Sequence, residues 1–262
     1  MDLTPAFLDR WREHRDLDYL DRVRDVLGEA ALDGEWVERV SLQALAREVA
    51  ATLRLSGVDG VDEEAVIAVA DRGEDGGLDG ARLDAVRGCV AAYRAAQEWA
   101  AQDARLTPEL LAQLHGQLTG ATAPGAAQAD AGLARLCDWL AAPPDALHSA
   151  VVAALAHLEL LRLRPFPDGN ARMARLLLLL LLGRDGYGYL GLLAPSTHWS
   201  DPRRLPEQPA EQLSPDQAET LPGVEHVVHG VAQALRDAVI RARTEEGGGG
   251  LAEMLFGFPL QP

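Results

Sequence analysis

Residues 164–175 read RPFPDGNARMAR and join two strongly apolar stretches, ALHSAVVAALAHLELLRL at 146–163 and seven consecutive leucines at 176–182. The composition and spacing of both stretches predict helices. The turn-forming triplet DGN at 168–170 predicts the point at which the second helix begins. Because both helices are so apolar, we expect them in the core and the joining loop at the mouth of that core.

The rest of the chain also has the pattern of helices, which predicts an all-α fold. Thr4 and Pro5 open a first helix, Ser41 caps a second, and Ser214-Pro215 cap a late helix that Pro222 interrupts. Further helices are predicted at about 62–71, 83–102, 107–118 and 130–141. No segment has the repeated period-2 alternation and hairpin turns that indicate a sheet.

Composition excludes several classes of function. Forty acidic residues against 24 basic ones give a net charge of −16, which disfavours binding to nucleic acid or to an anionic membrane. All 24 basic residues are arginines, so a Walker lysine, a Schiff-base lysine and pyridoxal chemistry are excluded. Cys89 and Cys137 form no disulfide framework, and the leucine run is far shorter than the ~20 residues of a membrane span. With no apolar signal region at the N-terminus, these features predict a cytoplasmic protein.

The loop has the composition of an anion site. The first N–H groups of the helix that begins after Gly169 lack helical partners and lie at the positive end of its dipole. Arg172 and Arg175 are three residues apart on that helix, so their guanidinium groups are able to point the same way. Asp168 offers the hard carboxylate that Mg²⁺ takes together with phosphates.

Asn170 is the only asparagine in the chain, which indicates that its amide is needed here, toward either a phosphate or a carbonyl of the loop. An ordinary Asx-turn cap with solvated arginines is the alternative, since DGN is by itself a common turn string. The combination of DGN, two spaced arginines and an adjoining leucine helix is more specific. Elsewhere, His157 is expected in the core, and His226 and His229 on a solvated helix face rather than at a metal.

These residues resemble the signature of Fic (Fido) domain proteins, HPFx[D/E]GNGRxxR. The likeness extends to the helix that leads into the loop, to LAPSTHWSDPRRL at 193–205, and to the earlier helices, so that it covers roughly 41–205. It implies a Fic-type helical bundle over 41–205, with a helical extension at 1–40. A C-terminal helical segment at 206–246 and a glycine-rich linker with an apolar tail at 247–262 complete the expected organisation.

The resemblance also implies an activity, the transfer of AMP from Mg-ATP to a protein hydroxyl. Carried over by position, Asp168 would hold Mg²⁺. The backbone of Gly169, Asn170 and Ala171 would line the hole for the α- and β-phosphates, and Arg172 and Arg175 would bind the β- and γ-phosphates. The implied partners are a nucleotide and a protein target or regulator, without nucleic acid or membrane.

The chain departs from the family pattern at several positions. Arg164 replaces the histidine that serves as general base, and an arginine stays protonated and accepts no proton near neutral pH. Ala171 replaces a glycine where phosphate approaches closely. Ser56, in TLRLSG at 52–57, stands where many members carry an inhibitory glutamate that pairs with the second loop arginine. The hairpin flap that positions a target is shortened to GATAPGAAQAD at 120–130.

Two functions of different kinds follow, and the sequence leaves both open. In the first, the chain binds Mg-ATP and its AMP transfer is weakened or altered by the loss of the base. In the second, it is a catalytically inactive protein that senses a nucleotide or another phosphorylated ligand, or that binds a partner. Whether the chain is an enzyme depends on whether turnover survives with Arg164.

Overall fold

The computed structural model describes residues 11, 14–29, 33–120, 131–188, 191–201 and 221–244. Every regular element in these residues is helical, which confirms the prediction of an all-α fold. In chain order the helices are α1 (Arg15–Glu29), α2 (Gly34–Leu55), α3 (Glu63–Ile67), α4 (Gly80–Ala101), α5 (Pro108–Thr119), α6 (Ala131–Ala141), α7 (Ser149–Leu163), α8 (Asn170–Leu182), α9 (Pro195–Ser200) and α10 (Leu221–Thr244). One π-helical turn continues α3 through Ala68–Arg72, and another continues α8 through Gly183–Tyr187.

Helices α7 and α8 form the centre of the fold, as their apolar composition predicts. Every residue of 150–158 is buried, and in the leucine run only Leu179 is partly exposed. A helix that is apolar all round must be covered on all sides. Accordingly, α8 packs against α2, α4 and α5, while α7 packs against α6 and α10. The loop at 164–169 joins the two central helices and therefore lies at one end of the core.

Helix α2 begins seven residues before the predicted start at Ser41. Asp33 is its N-cap, and its carboxylate accepts a 2.8 Å hydrogen bond from the N–H of Trp36. Trp36 and Val40 are buried, so the additional turns join the core. The prediction that Ser41 caps this helix was wrong because Asp33 supplies the same capping chemistry earlier. The helix is continuous across the predicted boundary between residues 40 and 41.

The C-terminal helix also differs from its prediction. Pro222 lies in the first turn of α10 and does not interrupt it, because an N–H in the first turn has no helical acceptor to lose. Five other predicted features lie outside the described residues: the opening of the first helix at Thr4-Pro5, the cap at Ser214-Pro215, nearly all of the flap segment, the segment 206–220 and the tail at 247–262. Among the helices that the structure describes, none combines the length and apolarity required to cross a bilayer.

Candidate functional site

The loop begins at Arg164, which ends α7 in a left-handed conformation. Its φ is 45°, and its N–H donates to the carbonyl oxygen of Leu160 over 3.0 Å. A residue in this conformation closes a helix by satisfying one of its last carbonyls. The Arg164 side chain is exposed at the mouth of the loop. The position thus presents a permanent cation to solvent and no proton acceptor.

Asn170 closes the loop on itself through both ends of its amide. Its Oδ1 accepts from the N–H of Phe166 over 3.0 Å, and its Nδ2 donates to the carbonyl oxygen of Phe166 over 2.7 Å. Aspartate could not replace it, since an ionised carboxylate has no hydrogen to donate. Of the two roles predicted for this amide, the structure has the bond to the loop backbone. The side-chain oxygen of Asn170 is therefore committed to the loop, and no side chain of the N-cap residue bonds the first N–H groups of α8.

Gly169 makes the sharp entry into α8. Its φ is +64°, and it is the N-cap residue with no side-chain hydrogen bond over the helix start. A Cβ at this position would lie 3.2 Å from Cγ2 of Thr119 and 3.5 Å from Nε2 of His115. Both the positive φ and the close approach of α5 therefore require glycine. Ala171, the next residue but one, is half-buried and packs against the hydrophobic core.

Asp168 carries the one exposed carboxylate of the loop. Its side chain is 73% exposed, and Oδ1 lies 3.4 Å from Nε2 of His115. The same ring nitrogen is 3.0 Å from the backbone oxygen of Asp168. Sequence reasoning missed His115, although its spacing from Leu111, Leu114 and Leu118 places it on the buried face of α5. A histidine on such a face is the signal that could have found it.

The two arginines of α8 have different partners. Arg172 is half-buried, and its guanidinium lies beside the loop, with Nη2 3.6 Å from the position of a Cβ on Gly169. It also faces the thiol of Cys89 on α4. Burial raises the pKa of Cys89 to about 11, and the charge and hydrogen bond of Arg172 only partly oppose this, so the thiol stays protonated.

Arg175 is buried against α2, with 1% of its surface exposed. Its Nε donates to Oγ1 of Thr52 over 2.7 Å, and its Nη2 donates to the carbonyl oxygen of Thr52 and to Oγ of Ser56 over 3.2 Å and 3.0 Å. The last carbonyls of α2 need donors, and the packing of α2 on α8 brings them to this arginine. Ser56 therefore lies opposite the second loop arginine, as the resemblance predicts for this position.

A buried carboxyl group balances this buried guanidinium. Glu48 on α2 accepts from the N–H and Oγ of Ser196 over 2.9 Å and 2.6 Å and from the hydroxyl of Tyr93 over 3.0 Å. Burial raises its pKa, while the hydrogen bonds of Ser196 and the charge of Arg175 oppose the rise. Sequence reasoning missed Glu48, although a glutamate between the core positions Leu45 and Val49 on α2 is the available signal.

The loop offers a metal ion one carboxylate, that of Asp168. Within the described residues no group of three or more His, Cys, Asp or Glu side chains could hold an ion. His229 instead bonds Asp16, with 3.1 Å between Nδ1 and Oδ2. Asp168 alone offers a hard oxygen ligand beside a helix start. One carboxylate together with phosphate oxygens and water is the coordination that Mg²⁺ accepts, whereas Zn²⁺ needs more protein ligands.

Known proteins are similar to this chain in the same region. Residues 84–182 match the model of the Fic/DOC family, a range that begins within α4, ends with α8 and includes the whole loop. The chain is 47% identical over 51 residues to the protein adenylyltransferase Fic of Nematostella vectensis, which covers 19% of this chain and 12% of that protein. It is 42% identical over 69 residues to the protein adenylyltransferase Fic of Drosophila willistoni, which covers 26% and 14%.

The fold has a close structural counterpart. A Fic family protein from Desulfovibrio desulfuricans G20 superposes with a TM-score of 0.70 at 23% identity, over 94% of this chain and 77% of that one. This likeness extends over the helices on both sides of the matched domain. The matches to the two curated relatives, by contrast, span only 12% and 14% of the length of those relatives.

Proposed function

We propose that the chain is a Fic-domain protein that binds Mg-ATP at the loop and the start of α8, since residues 84–182, which match the Fic/DOC family, contain both. One observation carries the proposal: the exposed carboxylate of Asp168 immediately precedes a helix start whose N-cap residue, Gly169, covers no N–H group with a side chain. Arg172 lies next to the same turn. A polyphosphate with its metal needs all three features together.

The phosphates would be bound mainly by backbone. The N–H groups of Asn170, Ala171 and Arg172 begin a helix of 13 residues, so they carry unmet donors and the positive end of its dipole. The guanidinium of Arg172 would add a forked donor at one side. Since the side-chain amide of Asn170 is bonded to Phe166, its part in the proposal is to shape the turn.

Asp168 would hold Mg²⁺ that arrives with the nucleotide. When bound, the ion neutralises phosphate charge and orients the phosphate chain. Arg175 has a different part from the one that the motif implies. Its donors are directed to Thr52 and Ser56, so it would support the site as a buried positive charge beneath the helix start rather than as a direct ligand.

Arg164 favours binding over turnover. The general base of the family would be absent, and base assistance is worth about 10²–10⁴ in rate. Nucleotidyl transfer to a protein hydroxyl would therefore be weakened, though positioning and charge stabilisation would remain. The second candidate, a protein that binds nucleotide and signals its presence without transfer, rests on the same observation of an exposed, permanently charged side chain at this position.

Calorimetric titration of the full chain with Mg-ATP tests the binding. We expect Arg172→Ala to weaken affinity at least tenfold, since it removes a charge-assisted contact worth about 1.5–3 kcal/mol. The matched control is Arg82→Ala, which removes an exposed arginine from the first turn of α4. Equal affinities for the wild type and Arg172→Ala would contradict the proposal, and so would a wild type that binds no Mg-ATP.

A further inference from the structure

We infer that His115 is a positioning residue of the candidate site, which holds Asp168 and Phe166 so that the carboxylate and the start of α8 face the same ligand. The inference rests on the proposed function for the identity of that ligand. It concerns a residue outside the signature, 53 positions before the aspartate that it contacts. Its evidence is the set of contacts made by one nitrogen, Nε2, and the face of a single imidazole ring.

The first contact assigns the hydrogen on the ring. Nε2 lies 3.0 Å from the backbone oxygen of Asp168, and a carbonyl oxygen only accepts, so Nε2 must carry the hydrogen. Nδ1 is buried and has no hydrogen-bond partner in the part of the chain that the structure describes. Nε2, which faces the loop, therefore donates a hydrogen bond, and Nδ1 makes no hydrogen bond to the loop. This ring is placed to orient the loop and not to take a proton from a substrate.

The second contact restrains the carboxylate itself. Oδ1 of Asp168 lies 3.4 Å from the same Nε2, although the side chain is 73% exposed and His115 only 4%. One N–H group thus faces both the backbone oxygen and the carboxylate of Asp168. Without it, rotation of this exposed side chain would be opposed by little, and part of the binding free energy would be spent on ordering it.

The third contact fixes the other half of the loop. The rings of His115 and Phe166 stack with centroids 4.2 Å apart and an angle of 4° between their planes. Phe166 is buried, and its backbone N–H and C=O are the groups bonded by Asn170. His115 consequently contacts the loop on both sides of Pro167. Through Phe166 it also supports the amide that shapes the helix start.

The histidine stands on a rigid element. Thr119 donates from Oγ1 to the carbonyl oxygen of His115 over 2.9 Å, and α5 packs against both α4 and α8. Thr119 also lies close to the loop, because a Cβ at Gly169 would be only 3.2 Å from Cγ2 of Thr119. A site is held in its productive geometry when its supporting residues are themselves locked by packing, and the last turn of α5 meets this condition.

Three variants of the full chain separate the contacts. His115→Phe keeps the stacked ring and removes the donor, while His115→Gln keeps an N–H donor and removes the stack. His157→Phe is the control, because His157 is also buried on a core helix but its ring stacks on Trp199 of α9. We expect His115→Phe to weaken Mg-ATP affinity about tenfold or more, as supporting residues of metal ligands do. His115→Gln should lie between it and the wild type, and His157→Phe should match the wild type.

Two measurements without nucleotide separate this inference from the proposed function. Nitrogen-15 NMR of the histidine rings should show the hydrogen of neutral His115 on Nε2. Amide hydrogen exchange at Gly169, Asn170 and Ala171 should be faster in His115→Phe than in His157→Phe. A neutral ring with its hydrogen on Nδ1, or unchanged exchange and affinity in both His115 variants, would overturn the inference. A wild type that fails to bind Mg-ATP, but passes both measurements, would reject only the proposed ligand.

Discussion

At the scale of single residues, Arg164 decides what the candidate site is able to do. Its backbone takes over the closure of α7, with φ at 45°, and its side chain is exposed. The backbone of this residue therefore ends the helix, while its side chain sets the chemistry at the first position of the loop. A group that is always protonated there is able to hold an anion and unable to activate a hydroxyl.

We expect Arg164→His to raise the transfer of label from α-labelled ATP to protein, by up to about 10²–10⁴-fold if proton removal alone limits the reaction. Arg164→Ala is the matched control, since it removes the same charge without adding a base. Incorporation of label is measured after denaturation and washing of the protein. Efficient labelling by the wild type, or an equal rise in Arg164→Ala, would refute a site weakened by loss of its base.

At the scale of helices, the contact between the end of α2 and the start of α8 positions the charges under the loop. Arg175 and Glu48 are both buried, and Thr52 and Ser196 lie between them in one hydrogen-bonded network. Buried ionic groups are costly to leave without partners. The network explains how the guanidinium of Arg175 is stabilised in a buried position, where it is not exposed to a phosphate.

We expect Thr52→Val to lower the free energy of unfolding by about 1–3 kcal/mol. Valine has nearly the size and shape of threonine, but it offers no acceptor to Nε of the buried Arg175. Ser56→Ala removes the other hydroxyl that Arg175 contacts, but Ser56 is exposed and water is able to replace it. Its effect should stay below about 1 kcal/mol. Urea unfolding of both variants checks the difference, and equal stabilities would contradict the role of the network.

At the scale of the whole molecule, α1 joins the C-terminal helix to the core. Asp16 on α1 accepts from Nδ1 of His229 and Nη2 of Arg236 on α10, over 3.1 Å and 2.9 Å. Farther along α1, Arg24 donates to the hydroxyl of Tyr187, and that hydroxyl donates to Asp21 over 2.5 Å. The predicted N-terminal extension is thus packed on the same body as the candidate site.

The salt bridge of Asp16 to Arg236 and its hydrogen bond with His229 predict a dependence of stability on pH. Burial would raise the pKa of Asp16, but the bonds and charges of His229 and Arg236 outweigh it and lower the pKa from 3.8 to about 2. A lowered pKa stabilises the fold above the unfolded value, and the gain disappears as the pH falls toward 2. Asp16 should therefore contribute about 2 kcal/mol at pH 7.

Unfolding of the wild type and Asp16→Asn at several pH values measures this contribution. The difference between them should be constant above about pH 5 and should shrink between pH 5 and 2. Asp18→Asn, which removes an exposed carboxylate from the same helix, is the control for the loss of one negative charge from α1. A difference that does not depend on pH would exclude the proposed salt bridge.

Local sequence was sufficient for the helices and for the place of the loop. The apolar stretches around it, the cap at Thr107 and the turn at Gly169 act within a few residues, so they are legible without the fold. The presence of only one asparagine in the chain also predicted that the amide of Asn170 is needed in the loop. Capping by Asp33 was equally local, and it was missed because Ser41 offered the same chemistry closer to the predicted periodic stretch.

Only the tertiary structure decided which groups meet at the site. The contacts of His115, Glu48 and Arg175 depend on how α5 packs against the loop and α2 against α8 and α9, across separations of 53 to 148 residues. No local pattern specifies such contacts, because the free energy that selects them comes from burying helix faces and from pairing every buried polar group. The motif alone determined which chemical groups the loop carries, and packing determined which of them stay exposed and which are buried.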